Sequence, residues 1–257
     1  MPSAWNPDQY ERFRAERREP FQDLLALVRP LSGATRVVDL GCGTGELTRE
    51  LHVKFGPRET IGYDSSETML AKSAAFAGGG LSFERADVSS VELGRGLDLV
   101  FSNAALQWVP DHPKLFQRIV SSLAPGGQLA VQMPANYDHP THIVAIEVAR
   151  EPPFKEALVG YTHRAGLLAV ERYAELFHAL GLKESCVRLQ VYGHVLTARE
   201  EVVEWVKGTL LTDYQQRLSP DLFTRFLTVY RERLLNQLED TRPYFYPFKR
   251  VLLWART

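Results

Sequence analysis

The chain has 257 residues, 45% of them hydrophobic and 24% charged, which excludes a disordered or fibrous protein and promises a sizeable core. A formal net charge of -1 argues against a partner held by nucleic-acid phosphates, and no apolar run reaches the ~20 residues of a membrane helix. The two cysteines, Cys42 and Cys186, stand in no metal-ligand spacing and "MPSAWNPDQY" lacks the apolar stretch of a secretory signal, so a reducing, cytoplasmic setting is expected.

Asn6 and Pro7 open a first helix, "NPDQYERFRAERRE", and "PFQDLLALVRP" repeats apolar residues at helical spacing up to Pro30. "TRVVDL" (35–40) is a short β-branched strand that runs into glycine, and "ELTRELHVKF" is a helix. "ETIGYD" (59–64) is a second strand, and "SSETMLAKSAAF" a helix with a capping serine. "LSFERAD" (81–87) and "LDLVFSN" (97–103) are strands three and four. "HPKLFQRIVSSLAPGG" is a helix closed by a Pro-Gly-Gly turn, and "QLAVQM" (128–133) is the fifth strand. From about Pro134 to Lys183 the pattern is helical and irregular, broken by "PPF" at 152–154. "SCVRLQVYGHVL" is a strand, "AREEVVEWVKGTLL" and "SPDLFTRFLTVYRERLLNQLE" are helices, and "FKRVLLWA" is a last strand. Strands alternating with helices predict an α/β fold, doubly wound around a mostly parallel sheet. The helices after strand 5 form an inserted cap, and the last strands rejoin the sheet. In such sheets ligands bind at the carboxyl ends of the strands.

The first strand leads into "VVDLGCGTGELT", which sets Gly41, Gly43 and Gly45 between strand and helix. Glycine there allows a tight turn and lets a ligand approach the backbone. The spacing is one residue tighter than the dinucleotide fingerprint G-x-G-x-x-G. Asp39 precedes the first glycine; its charge suits a cationic group and opposes a pyrophosphate. Asp64 ends the second strand, where an acid accepts hydrogen bonds from ribose hydroxyls. The ligand that fits is a nucleoside with a positively charged appendage, namely S-adenosyl-L-methionine. Its ribose would lie on Asp64 beside Ser65, and its ammonium toward Asp39 and the glycine loop. Met69 is placed to pack on the adenine, and Asp87 with the Val88 amide to read its edge. Each residue also has a plainer reading: Met69 as core, Asp87 as a helix cap, the glycines as a turn.

"DLGCGTGELT", "IGYDSSETML", "ADVSS" and "NAALQWVPDH" resemble the seven-stranded S-adenosylmethionine-dependent methyltransferases. "WNPDQYERFRAER" (5–17), "LAVQMPANYDHPTH" (129–142), "VYGH" (191–194) and "VEWVKGT" (203–209) resemble one family among them, the trans-aconitate 2-methyltransferases. The resemblance implies one Rossmann-like methyltransferase domain over 1–257. Within it, 1–30 is a helical lid, 31–134 the cofactor-binding core, and 135–257 the cap helices and the strands that complete the sheet. It implies transfer of a methyl group to a carboxylate of a small polycarboxylic acid, giving a monomethyl ester. A carboxylate is ionised at neutral pH and needs no general base. Catalysis should then be mostly positioning, with no metal required.

The resemblance also distributes the site. Asn103 and Ala104 fall on the cofactor side, near its amino-acid end. Gln107 and Trp108 fall on the acceptor side, as uncharged donors that orient a carboxylate without quenching it. The methyltransferases of biotin synthesis that act on a malonyl carrier protein share a similar Gln-Trp step, so this pair points to carboxyl methylation in general. Tyr10 and Arg17 lie in the expected lid; His142, Tyr192, His194 and Arg250 are further candidates for distal carboxylates. The family commonly follows "WVKGT" with Gly-Leu-Arg-Pro, whereas this chain has "LLTDY" (210–214). Thr212 stands for the arginine and Asp213 for the proline, which favours a less charged acid; Arg217 nearby could compensate. The alternatives are another carboxylic acid, carrier-bound or from secondary metabolism, and a cofactor-binding protein without catalysis. The acceptor is expected to be a small carboxylic acid, and the protein a monomer with neither nucleic-acid nor membrane partner.

Overall fold

The computed structural model describes residues 14–33, 35–163 and 166–257, with side chains from Arg18 onward. The first half alternates α1 (Arg14–Leu27), β1 (Arg36–Leu40), α2 (Glu46–Phe55), β2 (Glu59–Asp64), α3 (Glu67–Ser73), β3 (Leu81–Arg85), β4 (Leu97–Asn103), α4 (His112–Ser122) and β5 (Leu123–Pro134). The second half continues with α5 (Pro140–Ala149), α6 (Phe154–Ala157), α7 (Val170–Ala179), β6 (Glu184–Leu196), α8 (Glu200–Lys207), α9 (Thr212–Arg217), α10 (Pro220–Gln237) and β7 (Tyr244–Arg256).

The strands form one seven-stranded sheet in the order β3-β2-β1-β4-β5-β7-β6. β1 to β5 pair in parallel. β7 runs antiparallel to β5, from Gln128 opposite Arg256 to Pro134 opposite Arg250. This is the α/β sheet expected from the alternation. Successive residues of a strand face opposite sides, and the core divides accordingly. Val37, Leu99, Phe101 and Ala130 join Phe21, Leu24 and Leu25 of α1 and Leu51 of α2. Val38, Val100, Leu129 and Val131 join Phe116 and Ile119 of α4 and Tyr173 and Phe177 of α7. The segment expected as a lid therefore contributes sheet core from Phe21 to Val28.

Two strands start several residues earlier than the sequence expectation, and β3 ends at Arg85 rather than at 87. α1 continues through Pro20, because the packed face that follows outweighs one missing hydrogen bond. β5 starts at Leu123, opposite Leu97, and shifts register before Leu99 meets Gln128. The Pro-Gly-Gly turn lies inside this strand, and a Cβ on Gly127 would stand 2.6 Å from Leu97 O. β7 begins at Tyr244 and not at Phe248.

The described chain divides into two compact units that interleave in sequence. The sheet unit holds Arg18–Ala135, Gly166–Gln190 and Arg250–Thr257; the helical unit holds 14–17, 136–163 and 191–249 of the described residues. The helical unit has its own core, in which Val144 and Val148 of α5, Val202 and Trp205 of α8, and Phe226, Tyr230 and Leu234 of α10 meet Tyr246 and Phe248. Among the described residues, no helix is long and apolar enough to cross a membrane.

Candidate active site

The strand order reverses direction between β1 and β4, and the crevice at such a point is where open α/β sheets take ligands. The β1–α2 loop lies at that end. Gly41, Gly43 and Gly45 have φ of 80°, 56° and 79°, the left-handed region that a side chain disfavours. A Cβ on Gly41 would stand 2.1 Å from the Ala105 Cβ, and one on Gly45 2.7 Å from both Phe83 and Ser73. At Gly43 a Cβ would meet only Met69 Cε, at 3.2 Å. The amides of Gly41 and Cys42 donate to Tyr63 O at 2.8 and 3.0 Å and tie the loop to β2.

Two acids lie at this loop and are held differently. Asp64 accepts the Gly43 N–H on Oδ2 at 2.9 Å and the Ser66 N–H on Oδ1 at 2.8 Å. Each oxygen keeps a lone pair, so the carboxylate can accept a vicinal diol as well. Asp39 is 4% exposed and accepts from Thr48 Oγ1 at 2.6 Å. Burial, assisted by the Asp64 charge and opposed by the Thr48 hydrogen bond, lifts its carboxyl to about 7. A buried acid in that condition gains from a cation. Bare Cα atoms, a diol acceptor and a charge-deficient acid at one sheet end fit a nucleoside with a cationic tail.

Around them, Ser66 caps α3 by accepting the Met69 N–H at 3.4 Å, while Ser65 is exposed. Asp87 is exposed after β3, and its Oδ1 accepts the Ser89 N–H at 2.7 Å. The Ser89 hydrogen bonds hold that carboxyl below its ordinary value. The Arg118 guanidinium donates to the carbonyls of Val88 and Ser89, which fixes this turn to α4.

β4 ends at Asn103, and Ala104 then takes φ 57°, a conformation that costs a non-glycine residue about 1–3 kcal/mol. Its N–H donates to Gln132 O at 2.8 Å, and its carbonyl accepts from Gln107 Nε2 at 2.8 Å. Gln107 is 8% exposed and its Oε1 is buried with no hydrogen-bond partner among the described residues. One of its two N–H donors is thus already spent, and an acceptor is left over. Trp108, on the same single turn of 3₁₀ helix, is 49% exposed. Arg250 is buried. In the amide orientation its neighbours require, Gln132 accepts from Arg250 Nη1 at 2.9 Å and donates to Asn103 Oδ1 at 2.8 Å. Gln132 escaped the sequence reading because it looks like one more residue of a buried strand.

His142, Tyr192 and His194 belong to the helical unit. His194 is buried against the Trp205 ring, centroids 4.6 Å apart, with Tyr246 and Phe248 beside it. Tyr192 is buried in the same strand. His142 stands between Tyr137 and His163, at 5.0 and 6.4 Å. Burial first, then the neighbouring His163 and His139, pushes His142 down to about 3. It can therefore offer a neutral N–H and no charge at physiological pH. Tyr10 lies outside the described residues, as does the side chain of Arg17.

The "LLTDY" departure has a local explanation. Thr212 Oγ1 donates to Thr209 O at 2.6 Å. Asp213 Oδ2 accepts from Tyr161 OH at 2.8 Å and from His163 Nδ1 at 3.1 Å. Burial works against its charge, but the bonds from His163 and Tyr161 hold the carboxyl below its ordinary value. Arg217 lies 3.9 Å above the Tyr161 ring centroid. Spacing alone could not reveal that Asp213 meets residues 50 and 52 positions earlier.

The family model for a methyltransferase domain matches residues 37–127, the stretch that carries the glycine loop and the β4 turn. A trans-aconitate 2-methyltransferase from Deinococcus radiodurans is 45% identical over 98% of this chain and 98% of its own length. One from Variovorax paradoxus is 39% identical over 98% and 95%. Among solved structures, the YcgJ protein of Bacillus subtilis shares the fold with a TM-score of 0.61, at 13% identity over 93% of this chain and 98% of its own.

Proposed function

The chain belongs to the trans-aconitate 2-methyltransferase family, and from that premise we propose that it forms the monomethyl ester of trans-aconitate or a similar small polycarboxylic acid. The single observation that carries the reading is the pairing of the glycine–Asp39–Asp64 cradle with the Ala104–Trp108 turn at one end of one sheet. S-adenosyl-L-methionine, when bound, supplies a methyl group on a positively charged sulfur. Asp64 holds the ribose diol, Asp39 and the glycine loop face the ammonium, and Met69 packs on the adenine side. Asp87 and Val88 read the adenine edge. The β4 turn takes the acid, with Gln107 and Trp108 as its uncharged contacts. No proton has to be moved from a carboxylate already ionised at neutral pH. The chain's part is orientation and exclusion of water, since water opposes the loss of charge when carboxylate and sulfonium neutralise. Holding two reactants well is worth roughly 7–11 kcal/mol. The protein is proposed to work as a cytoplasmic monomer.

A second reading, methylation of a less highly charged acid, is favoured by Thr212 and Asp213, which bring a spent hydroxyl and an anion where the family commonly has arginine and proline, respectively. Labelled methyl transfer across a panel of mono-, di- and tricarboxylic acids, free and carrier-bound, tests both. A base-labile ester from a free di- or tricarboxylate is expected. Labelling confined to amines or phenols overturns the proposal.

A further inference from the structure

The turn that carries Gln107 and Trp108 is three residues of 3₁₀ helix, too short to hold its own shape. What holds it is a buried chain of hydrogen bonds whose directions follow for a neutral imidazole. His112 Nε2 lies 3.0 Å from Leu106 O, and a carbonyl only accepts, so Nε2 carries the proton. Nδ1 of the neutral ring is then bare, and the Tyr173 hydroxyl, 2.5 Å away, donates to it. The Tyr173 oxygen in turn accepts the Leu168 N–H at 3.2 Å. Both side chains are fully buried. The 166–168 strand of loop can come this close because residue 166 is glycine: a Cβ there would stand 2.6 Å from Val109 O. Phe116 stacks edge-on against both rings, at 5.8 Å from His112 and 5.7 Å from Tyr173.

We infer that His112 and Tyr173 are positioning residues for methyl transfer. They lock the acceptor turn from behind, and His112 does so only in its neutral, Nε2-protonated form. A second proton on Nδ1 would face the Tyr173 hydroxyl and force it to turn its own hydrogen into an apolar wall. The groups packed on the imidazole are the Leu106 and Val109 backbone, Phe116 from α4 and Tyr173 from α7. Among the described residues no charged group shifts its titration, and burial lowers its basicity. The inference rests on the reading of Gln107 and Trp108 as the acceptor side.

The test uses the full chain. Tyr173→Phe keeps the ring and deletes the donor. It should bind S-adenosylmethionine within about 2-fold of the native chain yet lose about 10- to 100-fold in kcat for the acid, as a displaced reactant does. Because the neutral imidazole loses a hydrogen bond, the acid limb of kcat should move to higher pH. A lower melting temperature with kcat and its pH profile unchanged overturns the inference. Imidazole ¹⁵N spectra of the native protein read the tautomer without any substitution. Nε2–H on His112 at neutral pH is expected, and Nδ1–H or a cation overturns it. Gln107→Ala is measured alongside. If it spares acid turnover, the acceptor-side reading falls and this inference with it; if it cripples turnover while Tyr173→Phe does not, only the present inference falls.

Discussion

The glycine loop and the Asp213 cluster hold a carboxylate by opposite means. Asp64 is held by backbone amides, Gly43 and Ser66, on a loop whose path depends on bare Cα atoms. Asp213 is held by side chains, the Tyr161 hydroxyl and the His163 imidazole, with Arg217 over the tyrosine ring. A backbone donor is present whatever the side chain, so such a site survives most substitutions and fails abruptly when its path is blocked. A side-chain donor can be exchanged one residue at a time. The first arrangement suits a ligand that never changes; the second, if it reaches the acid as proposed, would let selectivity drift.

The largest expected effect sharpens that contrast at its rigid end. Gly41→Val combines a left-handed backbone with a collision at Ala105, and should weaken S-adenosylmethionine binding by more than about 100-fold in calorimetry. Near-native affinity would show that the loop yields like any side-chain site. Next come Gln107→Ala and Trp108→Ala, expected to cut acid turnover on the order of 100-fold while cofactor affinity changes only a few-fold. A collapse of cofactor binding would merge the two sides of the turn into one.

Asp39 gives a third, smaller effect. Its folded value of about 7 lies above the ordinary carboxyl range, so the folded chain holds a proton the unfolded chain releases. The stability of the free protein should therefore fall as pH rises from about 4 to about 7. A cationic ligand that favours the charged form expels that proton, so calorimetry in buffers of different ionisation enthalpy should show release of most of one proton at pH ~6 and none at pH ~8.5. Asp39→Asn should abolish the release. The smallest effect is at the adaptable end. Asp213→Asn should leave cofactor affinity and folding near native and shift the ratio of kcat/KM between tri- and dicarboxylic acids by roughly 3- to 10-fold toward the more charged acid. An unchanged ratio would remove Asp213 from selectivity.

This contrast also explains what the sequence made legible. The glycine loop, Asp39 and Asp64 sit at fixed offsets from β1 and β2, so their place at one end of the sheet could be read by counting residues. The sheet followed because β-branched runs such as "RVVDL" and amphipathic helices such as α4 alternate at a regular pitch. Gln107 was singled out but its orientation was not, since its bond to Ala104 O depends on a left-handed residue that is not glycine. His112 read as the start of a helix, and only folding reveals Tyr173, 61 positions later, against it. The Asp213 cluster was invisible for the same reason. Side-chain partners remote in sequence leave no periodic trace, whereas backbone geometry does.

Ala105 fills the volume that any side chain at position 41 would need. On the proposed reading, the loop that takes the nucleoside and the turn that takes the acceptor meet at this methyl group and the bare Cα of Gly41. For anyone seeking to redirect this enzyme to new acids, that methyl marks a boundary. Enlarging residue 105 would intrude on the shared loop, so libraries aimed at new acceptors should leave it untouched and vary the side chains that face the acid instead.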